Sequence, residues 1–224
     1  MNLTRLESLI GEENILKLKK LKVLVLGLGG VGGYVVESLV RSGVENITLV
    51  DGDTIKPSNI NRQIIVTKHN INKYKTREWK KRIKLINKNA IVNIINTFIT
   101  LENMECLFGD DYDYIIDVCD STKIKVKLIE KCNELNVKLI SCMGTANKID
   151  ATKLSVSTLD KTDNDPLAKK IRKELKDKSI MSKITVITSS EKPVNNKVLG
   201  STSYVPAIAG LLVTNYIINE IINN

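Results

Sequence analysis

Residues 22–32 constrain the fold more than any other stretch. Lys22-Val-Leu-Val-Leu-Gly27 is an unbroken apolar run stopped by glycine, and Gly27-Leu-Gly29-Gly30-Val-Gly32 follows directly. A strand that is apolar at every position suits a parallel sheet covered on both faces. The glycines let backbone amides approach a phosphate, and a helix beginning there turns its positive dipole end toward it. Residues 31–42 read as that helix, ending at Gly43. Ile47-Thr-Leu-Val-Asp51 reads as the next strand. Asp51 closes it about twenty residues after the glycines, where a carboxylate commonly holds ribose hydroxyls. These features imply a bound adenosine. They do not choose a reaction, because a dinucleotide-dependent dehydrogenase satisfies them equally.

The rest of the chain alternates in the same way. Residues 5–20 predict an amphipathic helix through Leu6, Leu9, Ile10, Ile15 and Leu18. Residues 72–88 predict a helix with Trp79, Ile83 and Ile86 on one face. Strands are expected at 91–97, 113–118, 137–142, near 154–158 and at 184–188, with a helix over 122–135. Asp165-Pro166 opens a helix to about 176, with proline at its start. Residues 189–203, with Pro193, Asn195, Asn196 and Gly200, read as a long loop. Residues 205–222 barely reach the ~20 a membrane span needs, and Asn215, Asn219 and Glu220 interrupt them. A buried C-terminal helix is expected there, not a span. The sum is an α/β, Rossmann-like, doubly wound, mainly parallel sheet with a long crossover loop and a C-terminal helix. Residues 1–224 are expected to form a single nucleotide-binding domain, since no repeat or linker divides them.

Composition removes several chemistries. His69 is the one histidine, so a zinc site built on several histidines is excluded. Four cysteines stand at 106, 119, 132 and 142, none in a C-x-x-C pair, so no zinc is expected. That spacing shows no disulfide framework, and no secretory signal opens the chain, which together predict a reduced, cytoplasmic protein. The net charge is +9, carried by 28 Lys and 6 Arg. Lysine and arginine crowd 68–88 and 169–178, two stretches suited to phosphate backbones or to plain solvated helix faces.

The segment Asp51-Gly-Asp53-Thr-Ile-Lys-Pro-Ser58-Asn59-Ile-Asn61-Arg62-Gln63 separates the reactions. A dehydrogenase has no use for this polar string after its second strand, whereas an acyl-adenylating site does. A guanidinium spreads the charge of the triphosphate and the leaving pyrophosphate. Carboxamides orient the nucleotide, and carboxylates hold magnesium. Lys75 follows at a helix start, placed to reach a phosphate.

GLGGVGG, DGDTIKPSNINRQ, Lys75 and Asp117-Val-Cys-Asp120-Ser, in that order, resemble the ThiF/MoeB-like superfamily of ubiquitin-activating enzymes. The resemblance covers essentially the whole chain. Within the superfamily the chain is most similar to the branch that dehydrates threonylcarbamoyladenosine in tRNA. Three stretches carry that: Arg5-Leu-Glu-Ser-Leu-Ile-Gly11-Glu, Asp165-Pro-Leu-Ala-Lys-Lys-Ile-Arg172, and Gly200-Ser-Thr-Ser-Tyr-Val-Pro206 before the apolar helix. The resemblance implies ATP and Mg2+, with Gly27, Gly29, Gly30 and Gly32 lining the nucleotide and Asp51 on the ribose. It implies phosphate contacts or loop organisation for Asn59, Arg62, Gln63 and Lys75. Asp53 and Asn61 join the nucleotide-binding set, and Asp120 holds magnesium. It further implies a homodimer in which Arg5 reaches the partner's site, and a tRNA substrate cyclised through an acyl-adenylate. The sequence leaves open a monovalent cation and a cysteine desulfurase or other sulfur-acceptor partner. An alternative is adenylation of the C-terminal glycine of a sulfur-carrier or ubiquitin-like protein. Two departures count against it: the zinc cysteines are missing, and no cysteine follows Cys142 to form a thioester.

Overall fold

The computed structural model describes residues 1–180, 183–195 and 198–223; Asn196, expected in the long loop, lies outside them. Strand β1 (Lys22–Leu26) sits in the middle of the sheet and explains its own sequence. Val23 and Val25 enter one apolar cluster, while Leu24 and Leu26 enter a second on the other face. Both faces are covered, so every position after Lys22 is apolar.

The other strands are β2 (Asn46–Val50), β3 (Ile91–Ile95), β4 (Tyr114–Asp117), β5 (Lys138–Cys142), β6 (Leu154–Thr158) and β7 (Thr185–Ser189). They lie in the order β3-β2-β1-β4-β5-β7-β6. All neighbours run parallel except β6, which is antiparallel to β7. The chain winds outward from β1 to β3, then returns to β4 on the opposite side of β1. That reversal opens a crevice at the strands' C-terminal ends, where ligands bind in doubly wound sheets.

Two helix boundaries differ from the sequence expectation. The lead-in helix is two, α1 (Thr4–Ile10) and α2 (Glu12–Lys20), because Gly11 takes a φ of +84° and breaks the spiral. Helix α4 (Lys75–Ile86) begins after Asn72, whose φ of +65° ends the preceding turn. The remaining helices are α3 (Gly30–Arg41), α5 (Thr122–Leu135), α6 (Pro166–Asp177) and α7 (Val205–Asn223). Asp165 caps α6 by accepting from the Leu167 and Ala168 amides, each at 3.0 Å. Among the described residues α7 alone is long and apolar enough to cross a membrane by length and composition. It packs along α3, burying Ala209, Val213 and Ile217, and a Cβ on Gly210 would stand 2.5 Å from the Val31 carbonyl oxygen.

Candidate adenylation site

The crevice is a cleft of about 800 Å³. The first wall is the glycine loop between β1 and α3. Gly27 has a φ of +97°, and a Cβ there would meet the Val118 carbonyl oxygen at 2.9 Å. Only glycine allows the loops after β1 and β4 to approach this closely. Gly29 and Gly30 face the cleft, with Arg62 and Pro206 flanking Gly30.

Asp51, just past β2, is held by the loop it serves. Its Oδ2 accepts from the Leu28 amide at 2.7 Å, and its Oδ1 accepts from the Asp53 amide at 2.7 Å. Lys75, in the first turn of α4, buries its ammonium between Asp51 at 3.4 Å and Asp53 at 3.0 Å. A cation stripped of water needs such partners. Lys75 therefore fixes both carboxylates while its first-turn position keeps it on the cleft wall.

The polar segment folds through a short 3-10 turn at Pro57–Asn59. Buried Asn59 organises it by accepting from the Lys56 amide at 3.0 Å. The Arg62 guanidinium donates to the Ser58 carbonyl and to Asn61 Oδ1, both at 2.9 Å. Gln63 is buried against the glycine loop, and its Oε1 has no partner among the described residues. An unmet buried acceptor costs about 1–3 kcal/mol, so this carboxamide is poised for a ligand. Opposite, Asp120 is exposed on the cleft wall, and its carboxylate has no partner among the described residues. One free carboxylate suits magnesium, which takes one or two protein carboxylates and completes its shell with water and phosphate oxygens. No cluster of three or more His, Cys, Asp or Glu fit to hold a metal occurs among the described residues, so no all-protein cage competes with that arrangement.

The ThiF family model matches residues 3–223. The chain belongs to the ThiF family. Among its members, the tRNA threonylcarbamoyladenosine dehydratase of Bacillus subtilis (strain 168) is 34% identical over 99% of this chain and 94% of the relative. That of Haemophilus influenzae is 40% identical over 73% of this chain, a match spanning 63% of that protein. The Escherichia coli dehydratase TcdA in complex with ATP superposes with a TM-score of 0.93 at 29% identity, covering 99% of this chain and 93% of that one.

The remaining ThiF-type residues do not line this cleft. Gly32 does not line the cleft: a Cβ there would lie 1.9 Å from the Gly27 carbonyl oxygen, so it lets α3 start against the loop. Asn61 also lies off the cleft wall and ties Arg62 to the crossover loop, its Nδ2 donating to the Ser201 carbonyl at 3.0 Å. Arg5, exposed in α1, does not line this chain's own cleft. His69 is an exposed loop residue. In the 68–88 stretch, Lys75 is buried, Arg82 pairs with Glu37 and Lys81 with Glu78. Lys169, Lys170, Lys173 and Lys176 stay exposed on α6.

Beneath Asp120 lies a fully buried network. Lys125 donates to Asp117 Oδ2 at 2.9 Å, Ser141 Oγ at 3.1 Å and the Cys142 carbonyl at 2.9 Å. Asp117 Oδ1 accepts from the Cys119 amide at 3.2 Å, which holds the loop carrying Asp120. The sequence held a signal for this. Lys125 is three, four and seven residues before Leu128, Ile129 and Cys132, so it shares their buried face. Cys119 and Cys142 border the cleft. Burial pushes the Cys142 thiol up to about 12, and burial followed by the nearby Asp117 charge raises that of Cys119.

Proposed function

We propose that this chain is an ATP-dependent adenylating enzyme that dehydrates threonylcarbamoyladenosine in tRNA. The observation that carries the reading is the near end-to-end similarity to the Bacillus subtilis dehydratase in a chain whose phosphate-side residues share one cleft.

A carboxylate resists attack because its charge stabilises the carbonyl, and joining it to AMP creates a leaving group. The substrate carboxylate attacks the α-phosphate and pyrophosphate departs. The carbamoyl nitrogen of the same modification then closes on the acyl-adenylate and expels AMP, so one water is lost in sum. The nucleophile is already tethered, and effective molarity stands in for a protein nucleophile. Glycine-loop amides and the start of α3 cradle phosphate charge. Arg62 steadies the departing pyrophosphate, Asn59 orders its loop, and Gln63 offers its unmet carbonyl oxygen to a donor on the ligand. Asp51 takes ribose hydroxyls while Lys75 keeps it fixed. Magnesium, held by Asp120 and phosphate oxygens, would supply charge neutralisation at the transferring phosphate. The thiols at the cleft stay protonated near neutral pH, which agrees with a route that needs no thioester.

Incubation of tRNA carrying the modification with ATP and magnesium, followed by nucleoside mass spectrometry, tests this. The reading expects loss of one water per modified nucleoside, strictly with ATP. Unchanged nucleoside alongside adenylation of a carrier protein's C-terminal glycine would replace it with the sulfur-carrier reading.

A further inference from the structure

The cleft is polar in an uneven way. Its charged side chains stand on the side of β1 and β2, with Asp120 at the boundary. The opposite wall, after β5, is built from Gly144, Thr145, Ala146, Gly200 and Ser201 and carries no charge. The nucleotide reading needs only the charged side.

The uncharged wall is held from behind by one buried ion pair. Lys148, 2% exposed, donates from Nζ to the Gly144 carbonyl at 2.7 Å and to Asp165 Oδ2 at 3.0 Å. Asp165 is the cap of α6, so the pair joins the loop after β5 to a helix start. The residue before it joins that loop to the crossover loop. Asn147, at a φ of +56°, donates its amide to the Gly200 carbonyl at 2.9 Å and accepts the Gly200 amide on Oδ1 at 2.6 Å. Both strips of the uncharged wall are thus set by two adjacent residues. A lysine buried this deeply is costly to retain as mere scaffolding. Here its ammonium engages the Gly144 carbonyl that shapes the wall.

We propose that this wall is the subsite for the adenylyl acceptor, a nucleoside-sized group whose uncharged body lies on the wall and whose carboxylate reaches toward the α-phosphate, and that Lys148 is its positioning residue. This rests on the adenylation reading above. It assigns the two halves of one cleft to two substrates: ATP on the charged half, acceptor on the neutral half.

The test is a split between substrates. Lys148→Met and Asp165→Asn are compared with the parent chain for ATP affinity by calorimetry and for the KM and kcat of threonylcarbamoylated tRNA. Folding is checked by thermal melting. Asn147→Gly suits the local backbone and removes only the side-chain bond to Gly200, so it serves if Lys148→Met fails to fold. The expected result is a kcat/KM for the tRNA lowered about tenfold or more, because a small misplacement of a reacting group is costly, with ATP affinity held within about twofold. Folded variants that lose ATP affinity in parallel, or that convert tRNA normally, would overturn the assignment alone. A parent chain that binds ATP but converts no modified tRNA would defeat the adenylation reading itself, and the acceptor subsite with it.

Discussion

At the scale of single residues, the cleft separates groups that meet charge from groups that set geometry. Asp120→Ala and Arg62→Ala should each lower single-turnover conversion about a hundredfold or more, since each removes charge stabilisation at the reacting phosphates. Rapid-quench assays normalised to folded protein measure this; a loss under tenfold would remove that residue from the reacting centre. Cysteine has the opposite expectation. Burial pushes the thiols of Cys132 and Cys142 up to about 12, and Cys119 is raised as well, so thiolate is scarce near pH 7. Replacing Cys106, Cys119, Cys132 and Cys142 together should leave conversion within about tenfold, ~1.4 kcal/mol of barrier. A folded but dead Cys119 or Cys142 variant would revive a thioester route. Much of the site was legible here, because Gly27, Asp51, Arg62 and Asp120 sit in an ordered motif. Lys148 was not, because a lysine in a loop of a lysine-rich chain looks like any solvated one. The roles of Asn61 and Gly32 also needed coordinates: spacing places a residue near a site without saying whether it faces inward.

At the scale of elements, the glycine loop and the α3–α4 clamp carry the testable content. Gly32→Ala puts a methyl into the Gly27 carbonyl, so it should unseat the start of α3 and weaken ATP binding at least tenfold, read by calorimetry. Native affinity would show that α3 tolerates displacement. Glu37, in α3, accepts from Arg82 at 2.7 and 2.9 Å and from Arg41 at 2.8 Å. Burial raises its pKa, but the bonds from Arg82 and Arg41 outweigh burial and hold it below the usual glutamate value. Its contribution is therefore full above about pH 4.3, the unfolded value, and is lost as pH falls through the lower folded value. Glu37→Gln should cost about 1–3 kcal/mol at pH 7, with the gap to the parent closing in acid. Urea titrations at neutral and acid pH check it, and a gap independent of pH would contradict it. The strands were readable because two-sided burial writes itself as unbroken apolar runs. The break at Gly11 was not, since the apolar period of residues 5–20 continues across it and only backbone φ reveals the turn.

At the scale of the whole molecule, two substrates of very different size must meet over one switch point. We propose a two-fold homodimer, as the family resemblance implies; Arg5, exposed and away from this chain's own cleft, is placed where it could complete the partner's site. Light scattering should give twice the chain mass at micromolar concentration; a fully active monomer would contradict it. The proposed reaction requires ATP to activate the substrate carboxylate as an acyl-adenylate. Labelling that carboxylate with oxygen-18 tests it most directly. One labelled oxygen is expected in the AMP released and none in pyrophosphate, because the carboxylate oxygen that attacks the α-phosphate leaves with it. Unlabelled AMP, with the label in inorganic phosphate or pyrophosphate, would rule out the acyl-adenylate.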